Sequence, residues 1–157
     1  MIRWHAEALW EAVVPQLPGF TVEVLPQIDS TNTELMRRAR AGQTEPTLLV
    51  AERQTAGRGR LGRTWVSQGP SDRQPIASLT FSFGIALQPQ DWSGLSLAVG
   101  LSLAQSLHPT LQLKWPNDLW WQDRKLGGIL IETASVGALR YAVIGIGLNI
   151  HTPTAVP

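Results

Sequence analysis

At residues 54–65 the chain reads QTAGRGRLGRTW, a segment in which glycines and arginines alternate before a tryptophan closes the run. Four of the thirteen Lys and Arg residues lie between Arg53 and Arg63, and only Glu52 lies close by in sequence to offset them. Glycine lets another group approach the backbone closely, and the planar guanidinium fork of arginine matches carboxylate and phosphate oxygens. A loop of this composition is suited to wrapping an anionic small molecule.

The composition indicates one globular domain. A chain of 157 residues with 43% hydrophobic and 16% charged residues can bury a sizeable core and is not disordered as a whole. The net charge of +1 is too small for general nucleic-acid binding. The chain has no cysteine, no apolar run of the roughly 18 residues that a membrane span needs, and no secretory signal at its N-terminus. These features predict a cytoplasmic protein without a membrane partner.

The order of the periodic segments predicts an α/β (or α+β) domain with a mixed β-sheet flanked by helices. Apolar residues recur at helical spacing over 4–14 and 92–107, and a helix-start signal at Thr31 predicts a further helix to about Gly42. Strand patterns cover 20–25, 47–51, 77–87, 111–114, 126–133 and 139–149, and 119–125 has the pattern of a hairpin. Five to seven strands with three helices are typical of one mixed sheet.

Three of these segments carry a more detailed prediction. Thr31 with Glu34 has the spacing of a capping box at a helix start, where free N–H groups can also receive an anion. In the strand at 77–87, Leu79, Phe81, Phe83 and Ile85 would share one face. The stretch 67–75 is polar and rich in turn residues, which predicts an exposed, mobile loop.

Three further motifs are hard to explain as packing alone. At 114–118 the chain reads KWPND, in which Lys114 and Asp118 place opposite charges in an otherwise apolar stretch, a common arrangement at functional sites. At 125–132 it reads KLGGILIE, and at 145–149 it reads GIGLN. Glycines in apolar strands predict that another group approaches the backbone closely.

The glycine–arginine loop also has two simpler interpretations. Arg-Gly segments bind nucleic acids, although they usually do so as long, repetitive, disordered tracts. A solvated charged turn is the other alternative. A single copy between two strand-like segments favours a loop that holds an anion over a small-molecule site.

Together these motifs resemble those of the biotin protein ligase family. The loop at 57–65 and the motifs at 114–118, 125–132 and 145–149 occur in the family's order and spacing, across about residues 25–150. Ser30-Thr31-Asn32 is similar to the family's early biotin-contacting motif. The resemblance implies a class II synthetase-like biotin/lipoate ligase catalytic domain over residues 1–157. It also implies that this domain is incomplete at its C-terminus and lacks the family's N-terminal DNA-binding and C-terminal β-domains.

The implied reaction has two steps. Biotin and ATP, the latter with Mg²⁺, form biotinyl-5′-AMP and pyrophosphate, and a lysine of the biotin carboxyl carrier protein then attacks the mixed anhydride. Adenylation is needed because a carboxylate has no usable leaving group. The expected partners are this carrier protein, biotin and ATP, with no DNA partner and no metal site built from protein ligands alone. A homodimer is compatible with the resemblance.

The resemblance also implies roles for individual residues. The expected catalytic residues are Lys125, Arg60 and Asp118. The expected biotin-binding residues are Ser30, Thr31, Asn32, Gln54, Gly57, Arg58, Arg60, Lys125, Gly127 and Gly128. The expected ATP- and adenylate-binding residues are Arg58, Arg60, Arg63, Trp65, Asn117, Lys125, Gly147 and Asn149. Gly145 is expected to line the ligand closely as well.

One departure and two alternatives qualify the resemblance. Leu61 stands where some family members place another arginine, so the loop has one fewer cation. A lipoate–protein ligase would share the fold and the carboxylate activation, but the pattern at 57–63 favours biotin. A truncated domain that binds biotin or its adenylate without efficient transfer is the second alternative.

Overall fold

The computed structural model describes residues 2–67 and 76–150. Within these residues the chain forms three α-helices and seven β-strands. The elements are α1 (Ala6–Val13), β1 (Thr21–Leu25), α2 (Thr31–Arg40), β2 (Thr47–Ala51), β3 (Ser78–Ala86), α3 (Leu95–Leu107), β4 (Gln112–Lys114), β5 (Asp118–Trp121), β6 (Arg124–Val136) and β7 (Leu139–Asn149). None of the described helices has the length and apolar character needed to cross a membrane.

All seven strands belong to one sheet, in the order β1-β2-β3-β7-β6-β5-β4. β1 and β2 are parallel, and every other neighbouring pair is antiparallel. A parallel pair needs a crossover connection, which α2 supplies between β1 and β2. The prediction of a mixed sheet flanked by helices is therefore confirmed.

Two apolar clusters cover the two faces of the sheet. On one face, Leu35, Met36 and Ala39 of α2 pack with Tyr141 and Val143 of β7. On the opposite face, the α3 residue Ala104 belongs to a cluster that also contains the residues Leu119, Ile129, Ile144, Ile146 and Leu148 of three strands. Successive residues of a strand point to opposite faces, so β7 supplies both clusters in turn.

The alternation in β3 has an unexpected result. Phe81 and its odd-numbered neighbours pack on the α3 side, on one face as the sequence predicts. The polar residues that alternate with them are not in solvent, because Ser78, Thr80 and Ser82 are 3%, 1% and 0% exposed. A strip of buried hydroxyl groups therefore lies on the face that α2 covers.

The start of α2 differs from the predicted capping box. The N-cap is Ser30, whose side chain accepts a hydrogen bond from the backbone N–H of Thr33 at 3.2 Å. Ser30 has the extended backbone that an N-cap requires, whereas Thr31 is already the first helical residue. The prediction that Thr31 caps the helix is wrong by one residue, and the Glu34 carboxylate binds Arg37 and Arg38 instead.

The other boundaries agree with the sequence patterns to within a few residues. α3 begins at Leu95 rather than Trp92, and the hairpin predicted at 119–125 turns at Gln122 and Asp123, both with positive φ. The mobile loop predicted at 67–75 lies outside the described residues except for Ser67, which is buried.

A network of ion pairs joins α2 to the edge strand β1. Arg38 contacts Glu23 of β1 at 2.7 Å and Glu34 at 3.0 Å, while Arg37 contacts Glu34 at 2.7 Å. Burial raises the pKa of Glu34, but the hydrogen bonds from Arg37 and Arg38 outweigh it and hold this pKa below its ordinary value. Ionised Glu34 therefore stabilises the folded state.

Replacing Glu34 tests this contribution. A lowered folded-state pKa stabilises the protein above the ordinary value of 4.5, and the contribution is lost as the pH falls through the folded-state pKa. We expect Glu34→Gln to lower the free energy of unfolding by about 1 kcal/mol at pH 7. The difference from the wild type should shrink below pH 4.5. Urea unfolding at several pH values measures it.

The exposed Glu11 of α1 offers a matched control. Glu11→Gln removes a carboxylate from a helix without disturbing the network, and should change the unfolding free energy far less. A difference between Glu34→Gln and the wild type that did not vary with pH would contradict the assignment.

Candidate active site

A cavity of about 340 Å³ opens on the face of the sheet that α2 covers. The start of α2, the glycine–arginine loop and parts of strands β3, β5, β6 and β7 surround it. Most of the residues predicted from the family motifs line it. They are Ser30, Thr31, Asn32, Gln54, Arg58, Arg60, Arg63, Trp65, Asn117, Asp118, Lys125, Gly128, Gly145 and Gly147.

Hydrogen bonds between side chains organise the floor of the cavity. The Gln54 side-chain oxygen accepts the backbone N–H of Thr31 at 2.7 Å. The Thr31 hydroxyl lies 2.7 Å from the hydroxyl of Ser82, which donates to Asn32 Oδ1 at 2.5 Å. Four side chains from α2, β3 and the loop after β2 are thus joined in one connected network.

A carboxylate ends this network. Asn32 Nδ2 donates to the Leu130 carbonyl and to Glu132 Oε1, both at 3.1 Å. Arg58 also binds Glu132, at 2.6 and 3.2 Å, and donates through Nε to Thr33 Oγ1 at 3.1 Å. Arg58 is predicted to contact biotin through its backbone and to bind the adenylate, and its guanidinium is engaged with the protein's own groups. Its fork anchors the beginning of the glycine–arginine loop.

The loop forms a compact hairpin above this floor. Backbone hydrogen bonds join Trp65 N–H to the Gly57 carbonyl at 2.9 Å and Gly59 N–H to the Arg63 carbonyl at 2.7 Å. A 3₁₀ turn, Arg60–Gly62, forms its tip, where the backbone passes through positive φ. Leu61, which occupies the position of the missing arginine, is 86% exposed.

The tip of the loop contacts the connection between β4 and β5. Arg60 Nη1 donates to Asn117 Oδ1 at 2.9 Å, and Asn117 Nδ2 donates in turn to the Ile129 carbonyl at 2.6 Å. Asn117 therefore links the loop to β6. This contact holds Arg60, a predicted catalytic residue, at the cavity. Its partner Asn117 is a residue predicted to bind ATP and the adenylate.

Lys125 and Asp118 form an ion pair at one end of the cavity, with Nζ 3.4 Å from Oδ1. Gly128 lies beside them, since a Cβ built on it would come 3.8 Å from Lys125 Nζ and 3.9 Å from Asp118 Oδ1. Asp118 thus contacts Lys125, and not Lys114, which is the other lysine of the chain and lies nearer to it in sequence. Lys114 Nζ instead lies 4.2 Å from the ring centroid of Trp120.

The glycines of β6 and β7 differ in which group lies against their backbone. A Cβ on Gly145 would overlap the Asn32 amide, and one on Gly147 would overlap the ring of Trp65. A Cβ on Gly128 would meet no atom closer than 3.8 Å. The predicted close approach is confirmed for Gly145 and Gly147, but the approaching groups belong to the protein itself. Gly128 leaves space beside the cavity.

Three predicted residues do not line the cavity: Gly57, Gly127 and Asn149. Gly127 pairs with Leu148, and directly opposite residues of an antiparallel pair share a face, so Gly127 faces the α3 side. Gly57 is buried beneath the backbone of Trp65, and Asn149 pairs with Ser78 at the far end of β7. Their predicted ligand contacts find no support in the lining.

Several site residues were missed from the sequence. Thr80 lines the cavity, and Ser82 and Glu132 hold the side chains that line it. For Thr80 and Ser82 the available signal was the regular polar alternation in a strand between apolar neighbours. For Glu132 it was a carboxylate within an otherwise apolar strand.

The comparisons with known proteins agree with one another. The sequence profile of the biotin/lipoate A/B protein ligase family matches residues 24–149. The chain is 41% identical over 143 residues to the bifunctional ligase/repressor BirA of Escherichia coli, a match that covers 87% of this chain and 43% of that protein. It is 38% identical over 140 residues to the biotin–[acetyl-CoA-carboxylase] ligase of Mycobacterium tuberculosis, covering 82% and 49% of the two chains. The chain thus spans about half the length of these relatives.

The fold agrees with the sequence comparison. The biotin protein ligase of Aquifex aeolicus, solved in complex with biotin and ATP, superposes with a TM-score of 0.65 at 34% identity, over 87% of this chain and 54% of that one. The family profile covers all the residues that line the cavity. The chain belongs to the biotin/lipoate A/B protein ligase family.

Proposed function

We propose that this chain is the catalytic part of a biotin–[biotin carboxyl carrier protein] ligase. It would activate biotin with ATP to biotinyl-5′-AMP, release pyrophosphate, and transfer biotin to a lysine of the carrier protein. The observation that carries the proposal is a single cavity with an uncharged polar floor at one end and the Lys125–Asp118 pair at the other.

The two ends of the cavity are separated along β6. Asn32 contacts the strand at Leu130, while Lys125 Nζ lies beside Gly128, two residues earlier. At about 3.3 Å per residue this distance is roughly 7 Å. A ligand with a polar ring at one end and a carboxylate at the other, extended by a phosphate, matches this layout. Biotin activated as its adenylate has that form.

The cations address the electrostatic difficulty of adenylation. Carboxylate and triphosphate repel each other and must be brought together before reaction. Lys125, Arg60 and Arg63 all line the cavity and would offset that charge in a site partly shielded from water. Lys125 would face the biotin carboxylate and the α-phosphate, and Trp65 would lie toward the adenine.

Mg²⁺ would enter as the metal of ATP. The described residues contain no group of three or more His, Cys, Asp or Glu side chains that could hold a metal ion. Mg²⁺ commonly keeps several waters and binds substrate phosphates with only one or two carboxylates. Asp118, which lines the cavity, has the chemistry of such a carboxylate.

The main competing function is lipoate activation, because the family includes both kinds of ligase. The floor of the cavity favours biotin. Thr31, Asn32 and Gln54 are hydrogen-bonding groups at a largely buried position. A ureido ring can pair with such groups, whereas the dithiolane ring of lipoate has no N–H and no carbonyl. Unpaired polar groups in a closed site oppose binding.

Ligand-dependent ATP–pyrophosphate exchange on this chain tests the proposed function. We expect exchange with biotin and at least tenfold less with lipoate at equal concentration, since lipoate leaves the polar floor unpaired. Incubation with ATP, biotin and a carrier domain then separates a ligase from a protein that only binds, because a binding protein would leave the carrier unmodified. Equal exchange with the two acids would contradict biotin specificity.

Lys125→Ala should lower the rate of adenylate formation by about two decades or more, because it leaves phosphate charge uncompensated. Lys114→Ala is the matched control. It removes the other lysine of the chain, which lies over Trp120 outside the cavity lining, and should stay within about threefold of the wild type. Adenylation by Lys125→Ala within tenfold of the wild type would refute this role.

Asp118→Asn tests a role in the second step. A carrier lysine, with an ordinary pKa of about 10.4, is mostly protonated at neutral pH, and a nearby carboxylate can orient the amine or accept its proton. We therefore expect Asp118→Asn to slow transfer from preformed biotinyl-5′-AMP more than it slows pyrophosphate exchange. Equal losses in the two half-reactions would instead indicate that Asp118 serves mainly to hold Lys125.

A further inference from the structure

The hydroxyl of Ser82 lies beneath the cavity, on a residue that is 0% exposed and outside the lining. We propose that Ser82 is a positioning residue that turns the oxygen of Thr31 into a hydrogen-bond acceptor, so that the floor selects a ligand carrying an N–H donor. The inference rests on the proposed function and deepens it, because it identifies what distinguishes a ureido ring from other rings in this site.

The direction of the network is determined at Glu132. An ionised carboxylate only accepts hydrogen bonds, and so does the Leu130 carbonyl. Asn32 meets both with one end of its amide, which must therefore be the NH₂ end. The reversed amide would place an oxygen against two acceptors. Asn32 Oδ1 consequently faces Ser82.

The positions of the Ser82 and Thr31 hydroxyl protons follow from the number of donors and acceptors in the network. Asn32 Oδ1 needs a donor, and Ser82, 2.5 Å away, has a single hydroxyl proton to supply. Ser82 must then accept from the Thr31 hydroxyl, which lies 2.7 Å away. The one proton of Thr31 is used in that bond. It cannot also be donated to Gln54 Oε1 at 3.1 Å.

This count leaves two acceptor oxygens side by side. Gln54 Oε1 is identified as the oxygen of its amide because it accepts the Thr31 backbone N–H at 2.7 Å. It lies 3.1 Å from Thr31 Oγ1 with no proton between them, and both residues line the cavity. A ligand N–H placed against the pair would satisfy both oxygens. A ring oxygen or sulfur would add a third acceptor and be repelled.

Isosteric ligands test the direction of these hydrogen bonds without changing the shape of the bound molecule. The probes are biotin and its two cyclic carbamate analogues, in which one or the other ureido N–H is replaced by oxygen. Titration calorimetry should show that the wild type binds one of the analogues at least tenfold more weakly than biotin. In Ser82→Ala the Thr31 hydroxyl is released and can donate to a ring oxygen. We therefore expect biotin affinity to fall about tenfold and the discrimination against that analogue to fall to threefold or less.

Ser78→Ala is the matched control. Ser78 lies on the same face of the same strand, is 3% exposed, and its hydroxyl has no hydrogen-bond partner among the described residues. We expect this variant to keep both affinities within about twofold. In steady-state kinetics, Ser82→Ala should raise the KM for biotin and leave the KM for ATP unchanged, a split that a general loss of structure would not produce.

The outcomes separate this inference from the proposed function. A wild type that fails to bind biotin refutes the proposed function and the inference with it. A wild type that binds biotin, together with a folded Ser82→Ala that discriminates like the wild type, refutes the inference alone. If Ser82→Ala does not fold, Thr31→Val replaces it, because it removes the acceptor oxygen that Ser82 is inferred to orient. The same loss of discrimination is then expected, and its absence overturns the inference.

Discussion

The site depends on the hydrogen bonds of one buried group, the side-chain amide of Asn32. Asn32 is 4% exposed and joins the first turn of α2 to three strands, through Ser82, through Leu130 and Glu132, and by its close approach to Gly145. An amide can do this because it offers two donors and an acceptor on one rigid plane. A buried polar group left unpaired costs more than its hydrogen bond contributes, so α2 and the central strands are held in one arrangement.

The packing of Asn32 and Trp65 explains the glycines of β7. Gly145 and Gly147 occupy a central strand because the Asn32 amide and the Trp65 ring need the space that a side chain would fill. The glycine-rich strands therefore make room mainly for the protein's own cavity-lining residues. Gly128, beside Lys125 and Asp118, is the one of these positions with open space. The cavity is thus bounded by side chains for which the glycines leave space.

Much of the fold could be predicted from the sequence because its signals are local. The apolar spacing of α1 and α3, the alternation in β3 and the turn at Gln122-Asp123 all appear in the structure with small shifts at their ends. The site motifs also converge, since most predicted residues line one cavity. The contacts of individual side chains could not be predicted in the same way. Lys114 and Asp118 are opposite each other in the β4–β5 register, yet Lys114 lies over Trp120 and Asp118 contacts Lys125.

The order of the amino acids predicted most of the elements and the chemical groups of the site, because periodicity and motif chemistry are properties of neighbouring residues. The pairing of each donor with its acceptor depends on the three-dimensional arrangement of the elements. The decisive hydrogen bonds join residues far apart in the chain, Asn32 to Ser82 across 50 positions and Asn32 to Glu132 across 100. Such pairs depend on strand register and on where α2 rests on the sheet. A difference of one residue in strand register would turn Ser82 and Glu132 to the other face of the sheet.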